Sequence, residues 1–183
     1  MAIRSRGASW TLLAFVAMLP VVLKAGPTLP VKNRLPDEIR CLSGIHRVSL
    51  AFAPLPRNLR EAGINEDALR GIIEERLGQA QIVIEDDQTV KPWVVVSLRS
   101  AAEPDLPDVL AIALTLELHQ DVAVLRLEKA NRMTLPTTTF AGITVARADQ
   151  IRRAVDHRFR SLVNTMLRSF NQARDERRSR RRR

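Results

Sequence analysis

The sequence predicts an α+β domain with two layers. A mixed, mostly antiparallel sheet of five to six strands is expected to carry two helices on one face. Three observations lead there. The apolar periodicities run strand, helix, several strands, helix. Leu110, Ile112, Leu114, Leu116 and Leu118 form a stripe at period 2, the mark of a half-buried strand. Ile151, Val155, Phe159, Leu162, Met166 and Phe170 recur at steps of three and four, the mark of a helix with one buried side. A sheet and two helices that each have one apolar side bury them most economically in two layers.

The first strand is Arg47 to Ala53, with Val48, Leu50 and Phe52 on one side and Ser49, Ala51 and Ala53 on the other. Pro54 and Pro56 end it. A helix is expected from Asn65, whose side chain can accept from the free amides of the first turn. Glu66 and Asp67 suit the positive end of that helix, and Ile64 can staple to Leu69. Leu69, Ile72, Ile73, Leu77 and Ala80 form its core side, and Gly78 is its expected left-handed stop. The strand–helix–strand unit so formed should be a right-handed crossover.

Short strand Gln81–Glu85 follows, then Trp93–Arg99 and Val109–His119. Asp121–Lys129 is expected to return from a turn at Gln120–Asp121, facing Leu118 with Ala123, Leu116 with Leu125 and Leu114 with Leu127. That register leaves Thr115, Glu117, Arg126 and Glu128 on a polar outer face. Thr137–Arg147 is a weaker strand, with a bulge expected at Gly142. The last helix runs from Asp149 to Ala173.

The 183 residues are 45% hydrophobic and 27% charged, the balance of a folded protein rather than a disordered one. Aromatics are only 4%, with no Tyr, which leaves base-stacking and carbohydrate-stacking surfaces poorly supplied. The net charge of +9 is unevenly placed. Between Gly26 and Ala173 there are 19 Lys and Arg against 18 Asp and Glu, a net +1, so the basicity belongs to the two ends.

At the first end, Arg4 and Arg6 precede the uncharged run Trp10–Leu23, and small residues Ala25 and Gly26 follow. This is the layout of a secretory signal over residues 1–25. The apolar run has 14 residues, short of the roughly 20 that a membrane-spanning helix needs. A periplasmic or envelope location follows, with the segment acting as an anchor if it is retained. Residues 26–44 are expected to be a Pro-rich spacer, and 45–173 a single domain. About 158 residues remain after cleavage, enough to bury roughly two-thirds of the unfolded surface without a metal or disulfide.

No catalytic constellation stands out, and neither a metal nor a cofactor site is expected. The only cysteine, Cys41, excludes an intramolecular disulfide and multi-cysteine metal sites. It lacks the small residues a lipidation signal needs, because Glu38, Ile39 and Arg40 precede it. A hydrolase pairing Cys41 with His46 has no third group to orient the base. His46, His119 and His157 have no ligand spacing, and Glu85, Asp86 and Asp87 read as a solvated turn rather than a cation site. No glycine-rich phosphate loop or nucleophile elbow is present.

The other end is the sharpest feature. Arg174, Arg177, Arg178, Arg180, Arg181, Arg182 and Arg183 make residues 174–183 a disordered tail in expectation, with anion binding as its function. The partners it suits are an envelope protein, an anionic lipid surface or lipopolysaccharide phosphates. Nucleic acid is attracted by the same physics, but no reading aromatics flank the tail.

The capped helix ending at Leu77–Gly78, the strand Gln81–Glu85, the hairpin Val109–Lys129 and the final helix Asp149–Ala173 give an element order that resembles two kinds of envelope module. These are the lipopolysaccharide-assembly lipoproteins and the amino-terminal domain of the TolB translocation protein. The resemblance implies a non-catalytic adaptor that binds an envelope component, and it carries no functional residue with it. The function expected is an exported binding or assembly module; the alternative is a polyanion binder acting through the Arg-rich tail.

Overall fold

The computed structural model describes residues 35–87, 89, 91–123 and 132–182. The expected signal at 1–25 and the spacer up to Arg34 lie outside the described residues. Five strands, β1 (Arg47–Phe52), β2 (Val83–Glu85), β3 (Trp93–Glu103), β4 (Leu106–Ala123) and β5 (Arg132–Arg147), form one sheet in the order β2-β1-β3-β4-β5. β1 is parallel to both neighbours, with Arg47 opposite Val83 and Leu50 opposite Val94. The β3–β4 and β4–β5 pairs are antiparallel and much longer, with Val96 opposite Leu116 and Leu116 opposite Phe140. Helix α1 (Asp37–Arg40) precedes β1, α2 (Arg57–Glu61) and α3 (Glu66–Gln79) connect β1 to β2, and α4 (Ile151–Arg181) closes the chain. The fold class is the one the periodicities predict.

The core lies between the sheet and the two long helices. Val48 and Leu50, Val94, Val96 and Leu98, and Ile112 to Leu118 in alternation are buried from the sheet side. Leu69, Ile73 and Leu77 of α3 and Val155, Phe159, Val163 and Met166 of α4 meet them from the other. Full burial of an aliphatic or Phe side chain contributes about 1.5–3 kcal/mol, so this seam holds the layers together. Asn65 caps α3 as its sequence predicts, its Oδ1 accepting from the Ala68 amide at 2.7 Å.

Several local expectations are corrected. Gln120 and Asp121 form no turn: β4 continues through them to Ala123, and its hairpin partner is the strand read as weak. Leu118, Leu116 and Leu114 face Thr138, Phe140 and Gly142. Val124–Lys129, and with it Arg126 and Glu128 of the expected outer face, lie outside the described residues. Gln-Asp offers no residue suited to the positive φ of a tight hairpin turn, and Asp121 is instead tied across strands. Its carboxylate accepts from Lys91 Nζ and Thr134 Oγ1, both at 2.6 Å, and these bonds, Lys91 first, hold it below the usual carboxylate range.

The outer face is made chiefly of small and apolar residues rather than charged ones. Thr115 pairs with Ser97 and Ala141, Ala113 with Arg99 and Ile143, and Ile143 and Val145 are well exposed. The bulge falls at Thr137, not Gly142, because Leu118 pairs with Thr138 while His119 already pairs with Pro136. A proline cannot give its nitrogen to the ladder, and the register shifts beside it.

Both helix ends also differ. α3 runs past Gly78 to Gln79, and the left-handed residue is Gln81, at φ 58°. The amides of Ile82 and Gln81 return to the carbonyls of Leu77 and Gly78 at 2.9 and 3.0 Å, which is a Schellman ending. α4 is entered through a 3-10 turn at Ala148–Gln150. It then continues eight residues beyond Ala173, so the segment expected as a disordered tail is helical to Arg181. Arginine is a good helix former, and positive side chains stabilise the negative C-terminal end.

Candidate functional site: a cationic corner

The site is built where the chain enters the fold and where it leaves. Residues 35–44, expected as spacer, are part of the folded body. Leu42 is buried, Thr138 Oγ1 donates to the Glu38 carbonyl at 2.7 Å, and Gln120 Nε2 donates to the Cys41 carbonyl at 3.2 Å. Gly44, at φ 89°, then turns the chain into β1. This conformation costs most residues energy and costs glycine little.

The last turns of α4 lie against that corner. Phe170 and Ala173 point inward and are buried. Residue Arg174, one position on, is half-buried and donates to the Ala80 carbonyl at 3.1 Å, so it spans from α4 to the end of α3. The Arg177 guanidinium lies directly over Gly44, in the space a Cβ would occupy. Leu42, Ile45 and Phe170 form the apolar floor of a cavity of about 280 Å³, and Arg174, Arg177, Arg178 and His46 line its walls. On the far side of Arg177 a smaller recess of about 200 Å³ is lined by Arg40, Ser43, Glu176 and Arg180. Arg180 pairs with Glu176 and Arg40 with Asp37, the latter at 2.6 Å.

Of the seven arginines singled out in the sequence, Arg174, Arg177 and Arg178 therefore share one cavity, and Arg180 lines its neighbour. Arg181 ends α4, Arg182 is exposed beyond it, and Arg183 lies outside the described residues. Sequence reasoning missed Leu42, Gly44, His46 and Arg40. Continuing the helical spacing from Phe170 through Arg174 to Arg177 and Arg178 points to one side of a longer helix, but no local pattern shows that Gly44 sits beneath it.

The corner can hold an anionic group by charge-assisted hydrogen bonds while its apolar part rests on the floor. It has no assembled nucleophile. The Cys41 thiol donates to the Glu38 carbonyl at 2.9 Å and lies 3.2 Å from Thr138 Oγ1, and no hydrogen bond among the described residues joins it to His46. Of the acids at the 85–87 turn, Asp87 accepts from the Thr89 amide at 2.8 Å, a bond that lowers its pKa, and Glu85 lies 4.0 Å from Arg47. No group of three or more metal-ligating side chains occurs among the described residues. No helix among them is long and apolar enough to cross a membrane.

No protein-family model matches the chain, and no curated protein matches it. Among solved structures it is similar to a minor lipoprotein from Acinetobacter baumannii, with 14% identity and a TM-score of 0.38, over 71% of this chain and 95% of that one.

Proposed function

We propose that the chain is an exported, envelope-associated binding or assembly module without catalytic activity, and that its cationic corner takes the anionic group of an envelope component. The observation that carries this reading is the concentration of charge. A body with a net charge of only +1 between Gly26 and Ala173 gathers Arg174, Arg177 and Arg178 with His46 over the apolar floor of one cavity. Export is supported by the order of positive residues, apolar run and small residues across Met1–Gly26.

Two measurements test it. Fractionation of a tagged chain should place it in the envelope or periplasmic fraction, and a cytosolic product of full length rejects export. Titration with a phosphorylated amphiphile should give saturable binding that Arg177→Gln weakens by about tenfold, the effect of losing one charged hydrogen bond of about 1.5 kcal/mol. Affinity unchanged in Arg177→Gln rejects the corner as the site.

A further inference from the structure

We propose that the exposed side of α4 is a docking surface for an anionic lipid bilayer. The inference takes its setting from the envelope reading above and concerns the exposed side of α4, which meets the cationic corner at Arg178.

Because α4 runs unbroken to Arg181, the arginines of its end fall in phase with those of its middle. Arg153, Arg160, Arg168, Arg178 and Arg182 are separated by seven, eight, ten and four residues, which at about 100° per residue places all five within about 80° of arc on one side. All five are exposed, and His157, Asn164 and Asn171 fill the gaps between them. At 1.5 Å per residue the row is about 43 Å long. The opposite side of the same helix is the buried stripe of Val155, Phe159, Met166 and Phe170. Arg76 of α3 joins Arg160 and Arg168 along a shallow groove of about 720 Å³ between the two helices.

Acidic side chains are few along this row. Asp175 lies within it, and Glu75 of α3 approaches Arg160 at 3.9 Å. The row has no Phe, Trp or Tyr on which a base would stack, which disfavours single-stranded nucleic acid. None of the large hydrophobic side chains exposed among the described residues lies on α4. The helix would therefore rest at headgroup level, held by charge, without inserting an apolar face as amphipathic membrane helices do. An extended cationic row matches an anionic surface, and the apolar run Trp10–Leu23 is expected to bring the chain to a membrane.

The test is co-sedimentation of the full chain with vesicles of phosphatidylcholine alone and of phosphatidylcholine mixed equally with phosphatidylglycerol. The ratio of the two partition coefficients removes any contribution from the apolar run. At low salt the ratio should greatly exceed one and fall steeply as salt rises. The triple variant R153Q/R160Q/R168Q should lower it on the order of 100-fold, about fivefold per arginine. Its melting curve shows whether it is folded, and R153K/R160K/R168K should restore the ratio. A ratio near one for the natural chain, a ratio that survives the Gln triple, or loss in the Lys triple overturns the inference. So does a Gln triple that loses affinity for duplex DNA while keeping the vesicle ratio. A cytosolic chain that still shows the ratio would reject the envelope reading and leave this surface standing.

Discussion

The two long helices end in opposite ways. α3 stops where the fold requires it, because β2 must begin at Val83 to lie beside Arg47. It passes a glycine at 78 and turns on Gln81, a residue that is left-handed only at a cost. α4 buries its last apolar side chain at Ala173, yet it continues to Arg181, its further turns meeting the rest of the fold only through polar side chains such as Arg174 and Arg177. At α3, tertiary pairing overrules the local signal. At α4, no apolar packing remains beyond Ala173, and helix propensity, the Glu176–Arg180 pair and the macrodipole favour continuing the helix. A helix boundary is thus set by packing where packing exists and by local chemistry where it does not.

The largest effect expected is at the packed part of α4. Phe159 is fully buried between helix and sheet, and Phe159→Ala should destabilise the protein by about 3–5 kcal/mol through lost burial and the cavity left behind. Denaturant unfolding measures it. A loss below about 1 kcal/mol would mean that the layer seam is not where the stability resides. No single substitution after Ala173 should approach that magnitude.

Gly44→Ala comes next, because it strikes where the overhanging end of α4 meets the rest of the chain. The substitution meets both the positive φ of Gly44 and the Arg177 guanidinium above it. The expected cost is about 1–2 kcal/mol from backbone strain, with displacement of Arg177 and weaker anion binding at the corner. Gly142→Ala is the control. Its Cβ also meets a guanidinium, that of half-buried Arg158, but its φ is not positive, so its cost should fall below that of Gly44→Ala by about 1 kcal/mol of backbone strain. Equal losses in the two variants would show that backbone conformation is not what singles out Gly44.

The ending of α3 gives a prediction of the opposite sign. Gln81→Gly removes the left-handed penalty and should stabilise the protein by about 1 kcal/mol, seen as a higher denaturation midpoint at unchanged slope. A destabilised variant would mean that the Gln81 side chain holds a contact worth more than the strain.

This ending also marks how far the sequence could be read. The Asn65 cap, the stripe Leu110–Leu118 and the stripe Ile151–Phe170 were legible because each is written within a few turns or alternations. Composition favours a left-handed glycine at 78, whereas the left-handed residue is Gln81, because its position depends on β2 pairing with β1. The partner of β4 is hidden in the sequence for a similar reason. Asp121–Lys129 alternates as well as a strand needs, and Thr137–Val145 is less apolar, but long antiparallel pairing is decided between strands rather than within one. The cationic corner was half legible: its arginines stand out, whereas Gly44, Leu42 and His46 join them only through the turn into β1.

The smallest effect on stability, and the sharpest test of the comparison, is Arg178→Pro. Inside a packed helix a proline costs about 3 kcal/mol or more. If the end of α4 stands by local chemistry alone, the damage stays local. The ring removes the Arg178 amide from its bond and collides with the carbonyl four residues earlier, at Arg174. Residues from about Arg174 onward should then leave the helix, with a loss of helical ellipticity for roughly two turns. Global unfolding should move by no more than about 0.5 kcal/mol, because no buried apolar side chain follows Ala173 among those of α4. Arg174 and Arg177 would lose their common placement, so anion binding at the corner should fall with the ellipticity. A global loss near 3 kcal/mol would instead place the arginine-rich end inside the cooperative fold. Its helical form would then be imposed by packing, as the ending of α3 is.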